Sequence, residues 1–233
     1  MSEVAVEAAT PELRFRLLGA WHPVLLNDLD SGPLVADFVD EVFGRRDEDS
    51  TLRALTRRDL TEAVASARAL HAKAMFLMTE LRPGTPLPVT LTVFEQPDLR
   101  MSPAIGVSPQ AVVATLEKVF TELQRPHLDT AHRLQIPGSA ILRLHSIEEQ
   151  KLAHEEDLRE APEELAAEAG AVSIRRLSAD YWYTVPGSKQ VLLVNLSTPV
   201  GDIPHVLLGF FDSIVEASYF ELPAAPSGAS AEA

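Results

Sequence analysis

The sequence predicts an α+β fold: a largely antiparallel β-sheet flanked by helices on both faces. Three observations carry this expectation. The runs 180–185 and 191–198 are β-forming, are joined by turn chemistry, and are apolar on both faces, so both sides of their sheet need cover. Two further pairs of runs flank Arg82-Pro83-Gly84-Thr85 and Pro137-Gly138, and such short turns join antiparallel neighbours. Four segments carry apolar residues at helical spacing, each with one face to bury.

Taken in order, residues 1–12 read as a disordered tail and the domain as 13–222. Leu13-Arg14-Phe15-Arg16-Leu17 alternates as a half-buried strand does, and Trp21 and His22 follow Gly19, with 24–26 able to continue the strand past Pro23. Asp30, Ser31 and Pro33 start a helix whose stripe is Leu34, Val35, Phe38, Val39, Val42 and Phe43, and Gly44 ends it. Asp49 and Ser50 cap a longer helix expected to reach Lys73, with Leu60, Val64, Ala67 and His71 on one side. Runs 74–78 and 87–94 form a hairpin in which Thr90 and Thr92 mark the less buried face. Residues 96–107 are a loop. Ser108 is an N-cap followed by Pro109 at the first helical position, and the helix it starts runs to about Leu123. Runs 128–136 and 140–145 pair around Pro137-Gly138.

Residues 146–170 differ in kind: eight Glu and one Asp stand against Lys151 and Arg159, a net −7 out of the chain's −14. They read as an exposed, helix-prone acidic arm between strands. Beyond it, a four-residue loop over 186–189 puts Val185 opposite Gln190. Tyr181 and Tyr183 then share a face with Leu192, Val194 and Leu196, and Trp182 shares the other face with Val191 and Leu193. A last helix starts near Ile203, with Val206, Leu207, Phe210, Phe211, Ile214 and Val215 as its stripe, and should pack on this hairpin. A short segment with Tyr219 and Phe220 closes the fold, and 223–233 is a disordered tail by composition.

The hairpin with its Pro186-Gly187 turn, the run ending in Ser197-Thr198-Pro199 and the last helix leading to an aromatic segment resemble the C-terminal part of the PsbP-like fold. That fold is shared by extrinsic photosystem subunits, a Ran-binding nuclear import factor and mycobacterial lipoproteins of the LpqN type. The resemblance covers mainly residues 170–222, and the whole chain also resembles Ala- and Arg-rich actinobacterial proteins. The resemblance implies binding roles and supplies no catalytic residues.

Composition narrows the chemistry. With no cysteine there is no disulfide, thiolate metal site, cysteine nucleophile or thioether lipid anchor. The acidic N-terminus does not read as a signal peptide and no run approaches ~20 apolar residues, so a cytoplasmic protein with no membrane partner is expected. A charge of −14 argues against nucleic acid, which is held by clustered Lys and Arg. His127, Asp129 and His132 do not share a face on a strand or a helix, so neither metal nor cofactor is expected. Glu148, Glu149, Glu155, Glu156, Glu163 and Glu164 are paired carboxylates, but catalytic acids need burial and these fall in the arm, where solvation is their role.

The sequence therefore predicts a protein that is not an enzyme but a protein-binding module, such as an adaptor, a secretion-associated chaperone or an immunity-type factor. Those six glutamates and Trp21 would meet a basic protein partner. The alternative is a small-molecule-binding domain or enzyme with a pocket between sheet and helices at Trp21, His22 and Trp182.

Overall fold

In the computed structural model, which describes residues 11–26, 32–44, 50–96, 99, 101, 106–151 and 173–221, the elements follow the chain as β1 (Glu12–Arg14), β2 (Ala20–Val24), α1 (Gly32–Phe43), α2 (Ser50–Ala69), β3 (Ala72–Arg82), β4 (Thr85–Glu95), α3 (Pro109–Glu122), β5 (His132–Ile136), β6 (Ser139–Lys151), β7 (Ser173–Thr184), β8 (Val191–Thr198), α4 (Pro204–Glu216) and β9 (Tyr219–Glu221). Seven strands form one sheet in the order β2-β3-β4-β8-β7-β6-β5, every neighbouring pair antiparallel. The hairpin of β7 and β8 lies at its centre, in the register that the turn requires: Val185 N–H donates to Gln190 O at 3.0 Å, and Trp182 stands opposite Leu193.

Helices cover both faces, as a strand apolar on both sides demands. On the front face, α4 packs Leu207, Phe211, Ile214 and Val215 onto Tyr181, Tyr183, Val194 and Leu196. On the back face, α3 packs Val112, Leu116 and Phe120 onto Leu142, Leu144 and Trp182, while α1 and α2 pack Val35, Phe38, Val39 and Val64 onto Val24, Met75 and Leu77. Local chemistry sets the helix ends. Ser108 Oγ accepts Ala111 N–H at 3.3 Å ahead of Pro109, and Gly44, at φ +67°, donates back to Asp40 O at 2.9 Å. The α4 start carries no side-chain cap at Ile203.

Four expectations are corrected. The alternating N-terminal run splits in two: Leu13 belongs to β1, which pairs with β9 in a separate two-stranded sheet, and Trp21 to Val24 form β2 on β3. Helix α2 stops at Ala69, because pairing with β4 draws Ala72 and Lys73 into β3, and His71 makes the turn at φ 53°. Leu128–Thr130 is a 3-10 turn rather than strand. The acidic arm begins later than composition suggests: Ser146 to Lys151 continue β6, with Glu148 opposite Arg176 and Glu149 opposite Arg175. Opposite charges across a ladder outweigh a weak helix preference. The caps at Asp30, Ser31 and Asp49, residues 152–172 and both predicted tails lie outside the described residues, apart from Pro11 and Glu12.

Candidate functional site

The structure separates the three aromatic residues expected at a pocket. Three strands lie between β2, which carries Trp21 and His22, and β7, which carries Trp182. Trp21 lies half-buried on the front face with its Nε1–H donating to Leu18 O at 2.9 Å, whereas His22 faces back, its ring edge-on to Phe38 and its Nε2 3.3 Å from Glu41 Oε2. Trp182 is buried beneath α3. Strand alternation puts Trp21 and Trp182 on opposite faces, so no single pocket joins them. Of the glutamates, Glu148 and Glu149 are exposed on β6, and Glu155, Glu156, Glu163 and Glu164 lie outside the described residues.

What the structure builds around Glu148 and Glu149 is a projecting ribbon. β5 accompanies β6 only from Ser139 to Arg143, while β7 accompanies it to Lys151. Thr130 extends the cover by one residue: its Oγ1 accepts His145 N–H at 2.9 Å, and its single proton lies between His127 O at 2.7 Å and His145 O at 3.1 Å. His145 thus turns its backbone groups toward the β5 side. Backbone direction alternates along an antiparallel ladder, so Ile147 and Glu149 turn theirs the same way. Among the described residues no strand meets them there. The other edge of the ribbon is covered at Arg175, where Gly201 N–H donates to Arg175 O at 2.6 Å. That approach is so close that a Cβ on Gly201 would sit 2.3 Å from Arg175 O.

The back face carries a polar row across the middle of the sheet, in the gap between α1–α2 and α3. Thr90 and Ser197 hydroxyls share a hydrogen bond at 2.7 Å, Asn195 Nδ2 donates to Ser178 Oγ at 2.9 Å and to Asp180 Oδ1 at 2.8 Å, and Arg125 donates to Asp180 Oδ2 at 3.3 Å. The Arg125 guanidinium lies over both Phe120 and Trp182, 4.7 and 4.6 Å from the ring centres. The Trp182 Nε1–H is buried and meets no hydrogen-bond partner among the described residues. A cleft of about 690 Å³ opens at the end of this face, with Phe94 and Leu193 on its floor and Leu26, Arg68 and His71 on its walls. None of Arg125, Asp180 or Asn195 stood out in the sequence. The alternation of Ser178, Asp180, Asn195 and Ser197 with apolar residues was the available signal.

On the front face Asp212 of α4 accepts from Tyr181 O–H at 2.8 Å and from Arg143. Burial and the Asp212 carboxylate push the Tyr181 phenol far up, and burial does the same to Tyr183, so both stay neutral, Tyr183 sharing a hydrogen bond with Ser218 Oγ at 3.2 Å. Next to this network, burial and the Arg143 charge hold His145 below the ordinary imidazole value. These groups fasten α4 to the sheet. His127, Asp129 and His132 occupy the 3-10 turn and the start of β5, and among the described residues no three His, Asp or Glu side chains come together to hold a metal ion. Among the described residues no helix is long and apolar enough to cross a membrane. No family model matches the chain, and no curated protein or solved structure matches it.

Proposed function

We propose that this chain is a non-catalytic protein-binding module that captures an extended segment of a partner by strand addition along the outer edge of the β6–β7 ribbon. The carrying observation is the backbone of Ile147 and Glu149, which turns its donors and acceptors to a side where no described strand meets them. Unpaired ladder groups on a projecting ribbon are a template for another chain. The remaining sheet edges are poorer templates: β2 contains Pro23, which lacks an N–H, and β5 is five residues long. Ile147, 38% exposed, adds an apolar contact next to the buried Leu177.

Charge favours a basic partner. Residues 152–172, which connect the two ribbon strands, carry six Glu and one Asp against Arg159. Long-range attraction of this kind raises the association rate and selects the sign of the partner, while the ladder supplies the holding contacts. The resemblance of residues 170–222 to the PsbP-like fold points to binding in the same way.

The test is Glu149→Pro. Because Glu149 turns its N–H outward, proline there blocks an incoming strand without removing a β6–β7 hydrogen bond. Extract of the native host should yield a stoichiometric basic protein on immobilised wild-type chain, released by rising salt, and lose it on Glu149→Pro of unchanged thermal midpoint. Equal capture by the two would place the interface elsewhere.

A further inference from the structure

The front face is not uniformly packed. Under α4 the side chains of Tyr181, Tyr183, Val194 and Leu196 are fully buried. Beside them, on the β3–β4 half of the same face, the cover among the described residues is a single strand-like segment, Pro11 to Leu17. Its Leu13, Phe15 and Leu17 alternate inward yet stay half-buried, and Phe76 and Leu192 below them are half-buried too. A cleft of about 590 Å³ lies between this segment and the sheet, lined above by Leu13, Phe15 and Leu17, which also pack on the front cluster, and below by Phe76, Val93 and Leu192. Water in such a space finds few polar partners, so displacing it by apolar atoms is favourable.

We propose that this cleft binds a neutral, elongated apolar molecule, such as a long-chain alcohol or ester. Shape decides the elongation: the roof runs as alternating chain from Pro11 to Leu17, roughly 20 Å at strand spacing. Charge decides the neutrality. The four charged residues at the rim are already matched, Lys73 with Glu95 at 2.9 Å and Arg14 with Glu12 at 2.9 Å and Glu221 at 2.8 Å, leaving the Gln190 side chain at the mouth for an uncharged polar head. An ionised head gains no unmatched partner at this rim. Access is built in, because the backbone ladder holding the roof is only the three residue pairs of β1 with β9, reinforced by the diagonal Arg14–Glu221 bridge and by Arg16 over the Tyr219 ring. Such a short ladder opens at low cost.

The cleft lies at the turn end of β7 and β8, opposite to the ribbon end, so this inference and the protein-binding reading can fail separately. The experiment follows Nile red fluorescence on the full chain. Wild type should show one saturable site per chain, displaced by dodecanol and at least roughly tenfold less effectively by dodecanoate, a difference of about 1.4 kcal/mol. Ala74→Phe and Leu192→Phe, which fill the floor from two different strands, should each abolish the site, with far-ultraviolet circular dichroism confirming that at least one is folded. Glu149→Pro should leave it intact. The inference is overturned if wild type shows no saturable site, if a folded filling variant binds like wild type, or if binding emerges only after residues 1–10 are removed, which would make that segment the occupant.

Discussion

At the scale of single residues, the partly buried charge network on the front face shows how stability is distributed. Arg143 is 11% exposed and Asp212 19%, so neither ion is well hydrated and each depends on the other. Removing one partner of a buried pair leaves an uncompensated charge, which costs about 3–5 kcal/mol, whereas replacing both by apolar groups is close to neutral. Asp212→Ala should therefore lower the thermal midpoint by roughly 10 °C, at about 2–4 °C per kcal/mol for a chain of this size. Combining it with Arg143→Met should recover part of the loss, the rest staying with the buried Tyr181 hydroxyl, which loses its acceptor. A drop of only a degree or two for the single variant would show that Arg143 is hydrated after all. The network was illegible in the sequence because Arg143 sits in a strand of mixed pattern and Asp212 in an amphipathic helix, where a charge ordinarily faces water. Only the crossing of α4 over β6 and β7 brings Asp212 to Tyr181 and Arg143.

At the scale of elements, the β6–β7 pair separates what is structural in the acidic region from what is not. Glu148 and Glu149 belong to a paired strand, with Ser173 Oγ also donating to the Glu149 carboxylate, so a deletion starting at Glu148 would cut into the ladder. Lys151 and Ser173 stand directly opposite each other. A turn of two to four residues is enough to close an antiparallel pair at such a point. Replacing 152–172 by a four-residue turn with Asn-Gly at its centre should leave the thermal midpoint within a few degrees, and it should slow association with a basic partner while reducing its salt dependence, because the long-range charge is gone. Unfolding of that variant would show that the connecting segment is part of the core. The element types at 109–122, 191–198 and 204–216 were all legible, since caps, turns and periodicity are local signals. The strand ends at Ala72 and Lys151 were not, because only a partner strand holds those residues extended.

At the scale of the whole molecule, one sheet serves three apolar clusters, and they are not equally anchored. The front cluster gathers residues from β3, β4, β5, β6, β7, β8 and α4, whereas the cluster under α1 and α2 rests on β2 and β3 at one end of the sheet. A unit docked on an edge opens without disturbing the centre. Native-state hydrogen exchange should therefore find the slowest amides on β4, β7 and β8, exchanging only on global unfolding. Amides of α1 and α2 should exchange through a smaller opening with a weaker denaturant dependence. Identical exchange free energies for α2 and β8 would mean that the clusters unfold together.

The sequence by itself determined the α+β class, the central hairpin with its register, the two-sided cover and the caps of α3, because each follows from side-chain alternation or turn chemistry within a few residues. Tertiary structure alone decided where Trp21 and Trp182 lie relative to one another, how far β6 runs, which backbone groups of Ile147 and Glu149 face outward, and that Leu13, Phe15 and Leu17 roof a cleft on the sheet. Those depend on which strands become neighbours. Strand order joins residues far apart in the chain, and no local pattern carries that information.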